Sequence, residues 1–188
     1  MSERVTQLPV AESKRRAAEV GIPEQMATLS VFRILLQHPP VAKAIYGMLA
    51  ALLFGENKLA PRLRELIIMR IGWATGSEYE WTQHWRVAKD LGLSDELILS
   101  VRDWHNADAL TEADRVVLQA TDDTLDDGAI SAETWSRVCE VLESEEERVE
   151  LVVAIGNWGL FARLLRSLDV PLEEGIASWP PDGKVPEL

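Results

Sequence analysis

The segment Leu59–Gly92 constrains the fold of this chain more than any other stretch, because it has the pattern of two amphipathic helices in succession. Pro61 suits the first position of a helix, and apolar residues then recur at helical spacing. Gly76 can end that helix, and Ser77 can cap the helix that follows. The pattern therefore predicts a hairpin of two packed helices.

The second helix of this pair carries an acid and a histidine on its apolar side. Glu80 and His84 are spaced i, i+4, so their side chains can touch. Trp81 and Trp85 belong to the same side of the helix. An acid buried among apolar side chains is costly unless it has a partner. The placement therefore indicates either a functional site or a specific structural pairing.

Helical periodicity continues along the rest of the chain, and no segment alternates convincingly at the period of a strand. We predict an all-α fold that forms a single domain over residues 1–188. Within this domain, residues 1–40 supply accessory helices, residues 41–126 form the core, and residues 127–188 supply the C-terminal helices and a tail that wraps the surface.

Composition and charge exclude several classes of function. The 19 basic and 31 acidic residues give a formal net charge of −12 without a large basic cluster, so neither nucleic acid nor a membrane is an expected partner. The single cysteine, Cys139, excludes an intramolecular disulfide and a cysteine-based metal cluster, and its apolar neighbours predict that it is buried. The chain begins without a signal-peptide pattern and has no long apolar run, so we expect a cytoplasmic protein.

The stretch LAPRLRELIIMRIGWATGSEYEWTQHWRVAKDLGLSDELI resembles the carboxymuconolactone decarboxylase and AhpD-like (alkylhydroperoxidase D-like) family. Looser similarity extends over most of residues 31–174. The resemblance implies an all-helical AhpD-like bundle that assembles into dimers, trimers or hexamers. The apolar segment Val41–Phe54, which we expect to form a buried helix, and the seven tryptophans also favour a homo-oligomer, because subunit contacts can hide such surface.

In the peroxidase branch of this family, a glutamate is followed twelve residues later by the pattern Cys-x-x-Cys-x-x-x-His. Aligned with this chain, the glutamate is Glu65 and the histidine is His84, whereas the cysteine positions hold Ser77 and Glu80. These two residues cannot supply the thiolate that attacks a peroxide or the thiol that resolves the sulfenate. The chain therefore resembles the cysteine-free branch of the family, and peroxidase or peroxiredoxin-type activity is the least favoured function.

Three residues that the resemblance brings together support proton transfer without a cofactor. A carboxylate in an apolar pocket has its pKa raised towards neutrality, and a neighbouring histidine can hold the complementary proton. We expect a decarboxylase-like lyase or isomerase that acts on a small carboxylated or lactone-like molecule. His84 would be the principal acid/base, Glu80 would orient it or share its proton, and Glu65 would complete the site.

Further side chains are expected to surround the substrate. The predicted pocket residues are Ser77, Trp81, Trp85 and Arg70, with Trp73 or Trp158 as additional walls. A metal is not expected, because the spacing of the two carboxylates and the histidine differs from that of di-iron bundles.

The same residues also have a purely structural interpretation. Ser77-x-x-Glu80 matches a capping box, in which both side chains would satisfy amides at the start of their helix. Glu65 can pair with Arg62 or with Arg70, and Arg70 can equally pair with Glu80. Under this interpretation the protein is a non-catalytic member of the family that binds a small hydrophobic ligand or serves as a scaffold.

Overall fold

The computed structural model describes residues 4–187, and within them the chain is helical and forms no strand. This confirms the all-α prediction. Two short 3-10 helices accompany the α-helices, at Met26–Thr28 and Val101–Asn106. The α-helices are α1 (Val10–Val20), α2 (Ser30–Leu35), α3 (Pro39–Phe54), α4 (Pro61–Thr75), α5 (Glu78–Asp90), α6 (Asp95–Ser100), α7 (Glu112–Asp127), α8 (Ala132–Val141) and α9 (Glu145–Leu168).

The helices group into two compact units. One unit combines the chain up to Glu56 with Arg163–Ile176, and the other combines Asn57–Ala162 with the segment that begins at Ala177. Every candidate catalytic and pocket residue lies in the second unit. The single-domain organisation stays a prediction.

The predicted helix hairpin is formed by α4 and α5. Pro61 occupies the first position of α4, and Gly76 ends it in the left-handed conformation at φ 65°. The two helices cross closely at Gly72, where an added Cβ would lie 3.1 Å from the backbone nitrogen of Trp81. This close approach holds the adjoining turns of α4 and α5 in fixed register, and those turns carry the candidate site.

The apolar helix α3 is less buried than the sequence predicted. Val41, Met48 and Phe54 are 45%, 47% and 67% exposed, and the buried positions are limited to Ala42, Leu49 and Leu52. The prediction of a buried helix is wrong because α3 is apolar on several sides, and only one of them packs within its own chain.

The prediction for Cys139 is also wrong, since this free cysteine is exposed on α8. Its neighbour Val138 is fully buried. Successive residues of an α-helix point in directions about 100° apart. An apolar neighbour in sequence therefore does not place a residue on the buried face.

The end of the chain packs against α5. We call residues 177–187 the C-terminal strap. Trp179 in this strap is buried, and its backbone N–H donates to the Thr82 hydroxyl at 3.2 Å. The Trp81 indole N–H donates to the carbonyl of Pro180 at 2.8 Å. This part of the predicted surface tail therefore contributes a core tryptophan and fixes the helix that carries the candidate histidine.

One helix of the described chain, α9, is long and apolar enough to cross a membrane by length and composition. Half of its apolar window is buried inside the protein. Core helices of folded domains pass the same test, so α9 is weak evidence for a membrane span.

Candidate active site

Glu65 and His84, which the sequence singled out on separate helices, are in direct contact. Nδ1 of His84 lies 2.7 Å from Oε2 of Glu65. The Glu65 side chain is fully buried, and the His84 side chain is 13% exposed. Nε of Arg64 donates to the other Glu65 oxygen, Oε1, at 3.2 Å. Arg64 and His84 thus hold the two oxygens of one buried carboxylate.

The second ring nitrogen of His84 faces Trp158 on α9. The Trp158 indole N–H donates to Nε2 of His84 at 3.2 Å, and the two rings meet edge to face. An indole nitrogen can only donate, so Nε2 must accept and the proton of the neutral imidazole must lie on Nδ1. That proton is then donated to Glu65. The two neighbours therefore select one tautomer and one orientation of the ring.

Glu80 lies one helical turn before His84 and is only 3% exposed. Neither of its carboxylate oxygens has a hydrogen-bond partner in the described part of the chain. Burial raises the pKa of the Glu80 carboxyl well above its usual range. The neighbouring Ser77 hydroxyl lowers this pKa by a smaller amount, although its position does not meet the geometry of a hydrogen bond. The environment therefore favours the protonated carboxyl, which can donate one hydrogen bond.

The capping-box interpretation of Ser77 and Glu80 is wrong. Ser77 occupies the N-cap position of α5, but its side chain makes no capping hydrogen bond. A complete box does form at α7, where the Thr111 hydroxyl accepts from the Asp114 amide and the Asp114 carboxylate accepts from the Thr111 amide. Ser77 and Glu80 thus have the residue types of a capping box, but their side chains do not make its hydrogen bonds.

The two arginines proposed as structural partners of Glu65 pair elsewhere. Arg62 binds Asp114, and Arg70 binds Asp122 through hydrogen bonds of 2.7 and 2.9 Å. The alternative pairings of Glu65 or Glu80 with these arginines are therefore wrong. Arg70 also donates to the backbone carbonyls of Val101 and Arg102 within the second 3-10 helix, so these contacts do not support its expected place in the pocket.

Trp81 and Trp85 belong to a tryptophan cluster in the core. The Trp81 ring lies 5.3 Å from Trp73, 6.1 Å from Trp85 and 6.0 Å from Trp179 between centroids. The guanidinium of Arg102 covers Trp73 and Trp81 at 4.5 and 4.8 Å. These contacts anchor α5, and the aromatic side chain that reaches His84 is Trp158.

The composition of the site limits its chemistry. Among residues 4–187, no group of three or more His, Cys, Asp and Glu side chains is arranged to hold a metal ion. The single cysteine lies exposed on α8 and is not among the contacts of Glu65, Glu80 or His84. The side chains at the site supply two carboxyls, a guanidinium, an imidazole, a hydroxyl and an indole N–H.

Residues 39–123 match the sequence model of the carboxymuconolactone decarboxylase family, and this stretch contains Glu65, Ser77, Glu80 and His84. This segment of the chain is similar to that family. The single, remote cysteine is consistent with its cysteine-free branch. No curated protein matches the chain in sequence.

Solved structures share the fold. A peroxidase-related protein with an alkylhydroperoxidase AhpD core from Ralstonia eutropha JMP134 superposes with a TM-score of 0.75 at 16% identity, over 92% of this chain and 93% of that one. A protein of unknown function from Agrobacterium tumefaciens, described as a putative antioxidant defence protein AhpD, gives 0.67 at 22% identity, over 73% and 93%. The debrominase Bmp8, as a cysteine-to-alanine variant in complex with 2,3,4-tribromopyrrole, gives 0.72 at 20% identity, over 93% and 94%. The AhpD-like fold prediction is confirmed.

Sequence reasoning overlooked one contact of the site and left another open. Arg64 had no assigned role, because spacing along α4 does not show which adjacent side chains turn towards one another. Trp158 was named only as one possible wall of the pocket. The neighbouring Gly156 gives no signal of this contact, because it is exposed and an added Cβ there would meet no atom within 4 Å.

Proposed function

We propose that this protein is a cofactor-independent lyase or isomerase that transfers a proton on a small carboxylated or lactone-like molecule. One observation carries the proposal: a histidine oriented by a buried carboxylate lies one helical turn from a second buried carboxyl that has no hydrogen-bond partner among residues 4–187. Pairs of titratable groups in contrasting environments are the usual source of an acid and a base in one site.

In this proposal the two carboxyls have different roles. Glu65 keeps the proton of His84 on Nδ1, so that Nε2 is the atom that takes a proton from the substrate carbon. Nε2 cannot accept the indole N–H once it is protonated, so the contact with Trp158 opens when the proton is taken. Glu80 in its protonated form donates a hydrogen bond to the substrate. General acid–base catalysis of this kind contributes about 10²- to 10⁴-fold in rate.

The test is a panel of small carboxylated lactones, β-keto acids and peroxides, assayed on the wild type and on His84→Ala. We expect turnover of a lactone or keto acid that falls by about 10²- to 10⁴-fold in His84→Ala. Cys139→Ser is the matched control and should keep full activity, because Cys139 is exposed and outside the site. Full turnover in His84→Ala would refute the proposal, and peroxide turnover that depends on Cys139 would replace it.

A non-catalytic role is the second candidate, and one observation favours it. Both ring nitrogens of His84 already have partners within the chain, as in a structural network. If the network is only structural, the wild type turns over no member of the panel, whereas His84→Ala lowers the melting temperature by leaving the Glu65 carboxylate buried with one partner fewer.

We further propose that the protein assembles into a homo-oligomer in the cytoplasm. The exposed apolar side chains of α3, among them Met48 and Phe54, support this proposal, because water-exposed apolar patches of this kind mark contact surfaces. Light scattering at micromolar concentration tests it. A monomer would contradict it, and Phe54→Glu should shift an oligomer towards smaller species.

A further inference from the structure

Two polar side chains at the start of α5 are buried and find no hydrogen-bond partner among the residues that the structure describes. Ser77 is 1% exposed and Glu80 is 3% exposed, and neither the serine hydroxyl nor the glutamate carboxyl oxygens make a hydrogen bond in the described part of the chain. Buried polar groups are nearly always hydrogen-bonded, because leaving them unpaired is costly. Two such groups three residues apart on one helical turn therefore point to a ligand.

The chemistry of the two groups defines what that ligand offers. A protonated Glu80 has one O–H to donate, and the Ser77 hydroxyl has another. Both lie at the N-terminal end of a 13-residue helix, where backbone N–H groups and the helix dipole favour an electron-rich partner. The common complement of these donors is an oxygen that accepts hydrogen bonds.

The charges around the pair select an uncharged acceptor. Glu65 already places one carboxylate in the site, and its cation, Arg64, is paired with it. A ligand carboxylate brought beside Glu80 would be desolvated next to this acid without a counter-ion of its own. The carbonyl oxygen of a lactone or a ketone carries no such charge.

We infer that Ser77 and Glu80 form a donor site for the carbonyl oxygen of an uncharged lactone or ketone group, and that they hold the same oxygen when it becomes an enolate. This inference rests on the proposed function. The C–H bond next to the carbonyl breaks and its proton passes to Nε2 of His84. The electron pair of that bond forms a C=C bond, and the C=O π pair moves to oxygen. Where a second C=C bond is conjugated with this enolate, the proton returns to its far carbon, the π pairs shift along the carbon chain and the C=O bond re-forms, which completes an isomerisation.

The donor site makes the expected substrate more specific. A carboxylate elsewhere on the molecule is compatible with it, but the reacting end must be a neutral carbonyl. His84 follows Glu80 by one helical turn on α5, and its side chain is 13% exposed. A carbonyl oxygen held at the first turn of α5 would therefore have its adjacent carbon on the side of His84.

Binding of two probes of equal ring size tests the inference. Cyclohexanone supplies a neutral carbonyl and cyclohexanecarboxylate supplies an anion, and each is titrated into the full-length protein by ligand-observed NMR. We expect cyclohexanone to bind at least about tenfold more tightly than the carboxylate. Ser77→Ala and Glu80→Leu should each weaken cyclohexanone binding about tenfold, as the loss of one donor does.

Glu80→Gln distinguishes a donor from a base. Its amide still donates a hydrogen bond, so cyclohexanone affinity should stay within about threefold of wild type. The inference is overturned if cyclohexanone fails to bind, if the carboxylate binds as well, or if Ser77→Ala and Glu80→Leu bind cyclohexanone normally. Melting curves confirm that each variant is folded. Ser77→Ala tests the donor site without any change at Glu80, so its result does not depend on the folding of the Glu80 variants.

A second readout separates this inference from the proposed function. His84→Ala should still bind cyclohexanone, because His84 is not one of the two donors, but it should lose exchange of the α-hydrogens for deuterium. If the wild type binds cyclohexanone but does not exchange its α-hydrogens, the donor site is supported and proton transfer is refuted. If Ser77→Ala and Glu80→Leu both exchange the α-hydrogens at the wild-type rate, the donor site is refuted and proton transfer is supported.

Discussion

The buried carboxyl of Glu80 determines how stability should depend on pH. Burial raises its pKa well above the usual 4.5 in the folded protein, whereas the unfolded chain titrates near that usual value. Between the two values the folded protein binds a proton that the unfolded chain releases. The free energy of unfolding must therefore fall as the pH rises above about 4.5 towards the folded-state pKa.

Glu80→Gln removes this proton linkage while keeping a neutral side chain of nearly the same size. The variant should match the wild type below about pH 4.5 and should become progressively more stable than the wild type above it. The difference grows by up to about 1.4 kcal/mol per pH unit until the folded-state pKa is reached. For a chain of this length each kcal/mol corresponds to about 2–4 °C in melting temperature, so one pH unit separates the two proteins by about 3–6 °C.

The measurement is calorimetric unfolding of both proteins from about pH 4.5 to about 7.5. Asp123→Asn is the matched control. Burial alone would raise the pKa of Asp123, but hydrogen bonds from Thr134, Gln119 and Ser131 outweigh it and lower the pKa to about 2. The stability that Asp123 supplies is complete above its unfolded-state pKa, so its variant should differ from wild type by a constant amount over this range. A constant difference for Glu80→Gln as well would show that Glu80 is ionised in the fold, and the reasoning would fail.

Three further predictions concern single contacts. Trp158→Phe should keep the aromatic packing but remove the indole N–H, and we expect a changed ¹⁵N shift at Nε2 of His84; an unchanged shift would show that the hydrogen bond is absent in solution. Trp179→Ala should cost about 3–5 kcal/mol in urea unfolding, because it removes a core tryptophan, and a loss below about 1 kcal/mol would mean that the strap is not packed as described. Thr111→Ala should cost about 0.5–2 kcal/mol through its capping bond, whereas Ser77→Ala should not destabilise the fold; equal losses in urea unfolding would contradict the absence of a cap at Ser77.

Local spacing was sufficient to predict the helix hairpin, but it paired His84 with Glu80, whose carboxyl oxygens make no hydrogen bond in the described part of the chain. Pro61 and Gly76 mark helix ends through their own backbone preferences, which do not depend on distant residues. The family resemblance named Glu65 and His84 as site residues on two helices, but it did not predict that Glu65, rather than Glu80, contacts the imidazole.

Tertiary packing decided the features that the sequence did not predict. Arg70 had several acids within plausible reach, and its choice of Asp122 follows from the packing of α4 against α7. The exposure of Cys139 depends on which face of α8 is turned inward. The unpaired state of Ser77 could not be anticipated either, because the residue pattern of a capping box is present and only the side-chain geometry departs from it.

The C-terminal strap also sets an order of events during synthesis. Trp81 and the Pro180 carbonyl that its indole binds are 99 positions apart in the chain. At a translation rate of about 5–20 residues per second, about 5–20 s pass between the synthesis of α5 and the arrival of the strap. During that interval the tryptophan surface of α5 stays uncovered on the nascent chain. Chaperones that bind apolar surface have that time to act, and α5 reaches its final packing only after the strap has emerged from the ribosome.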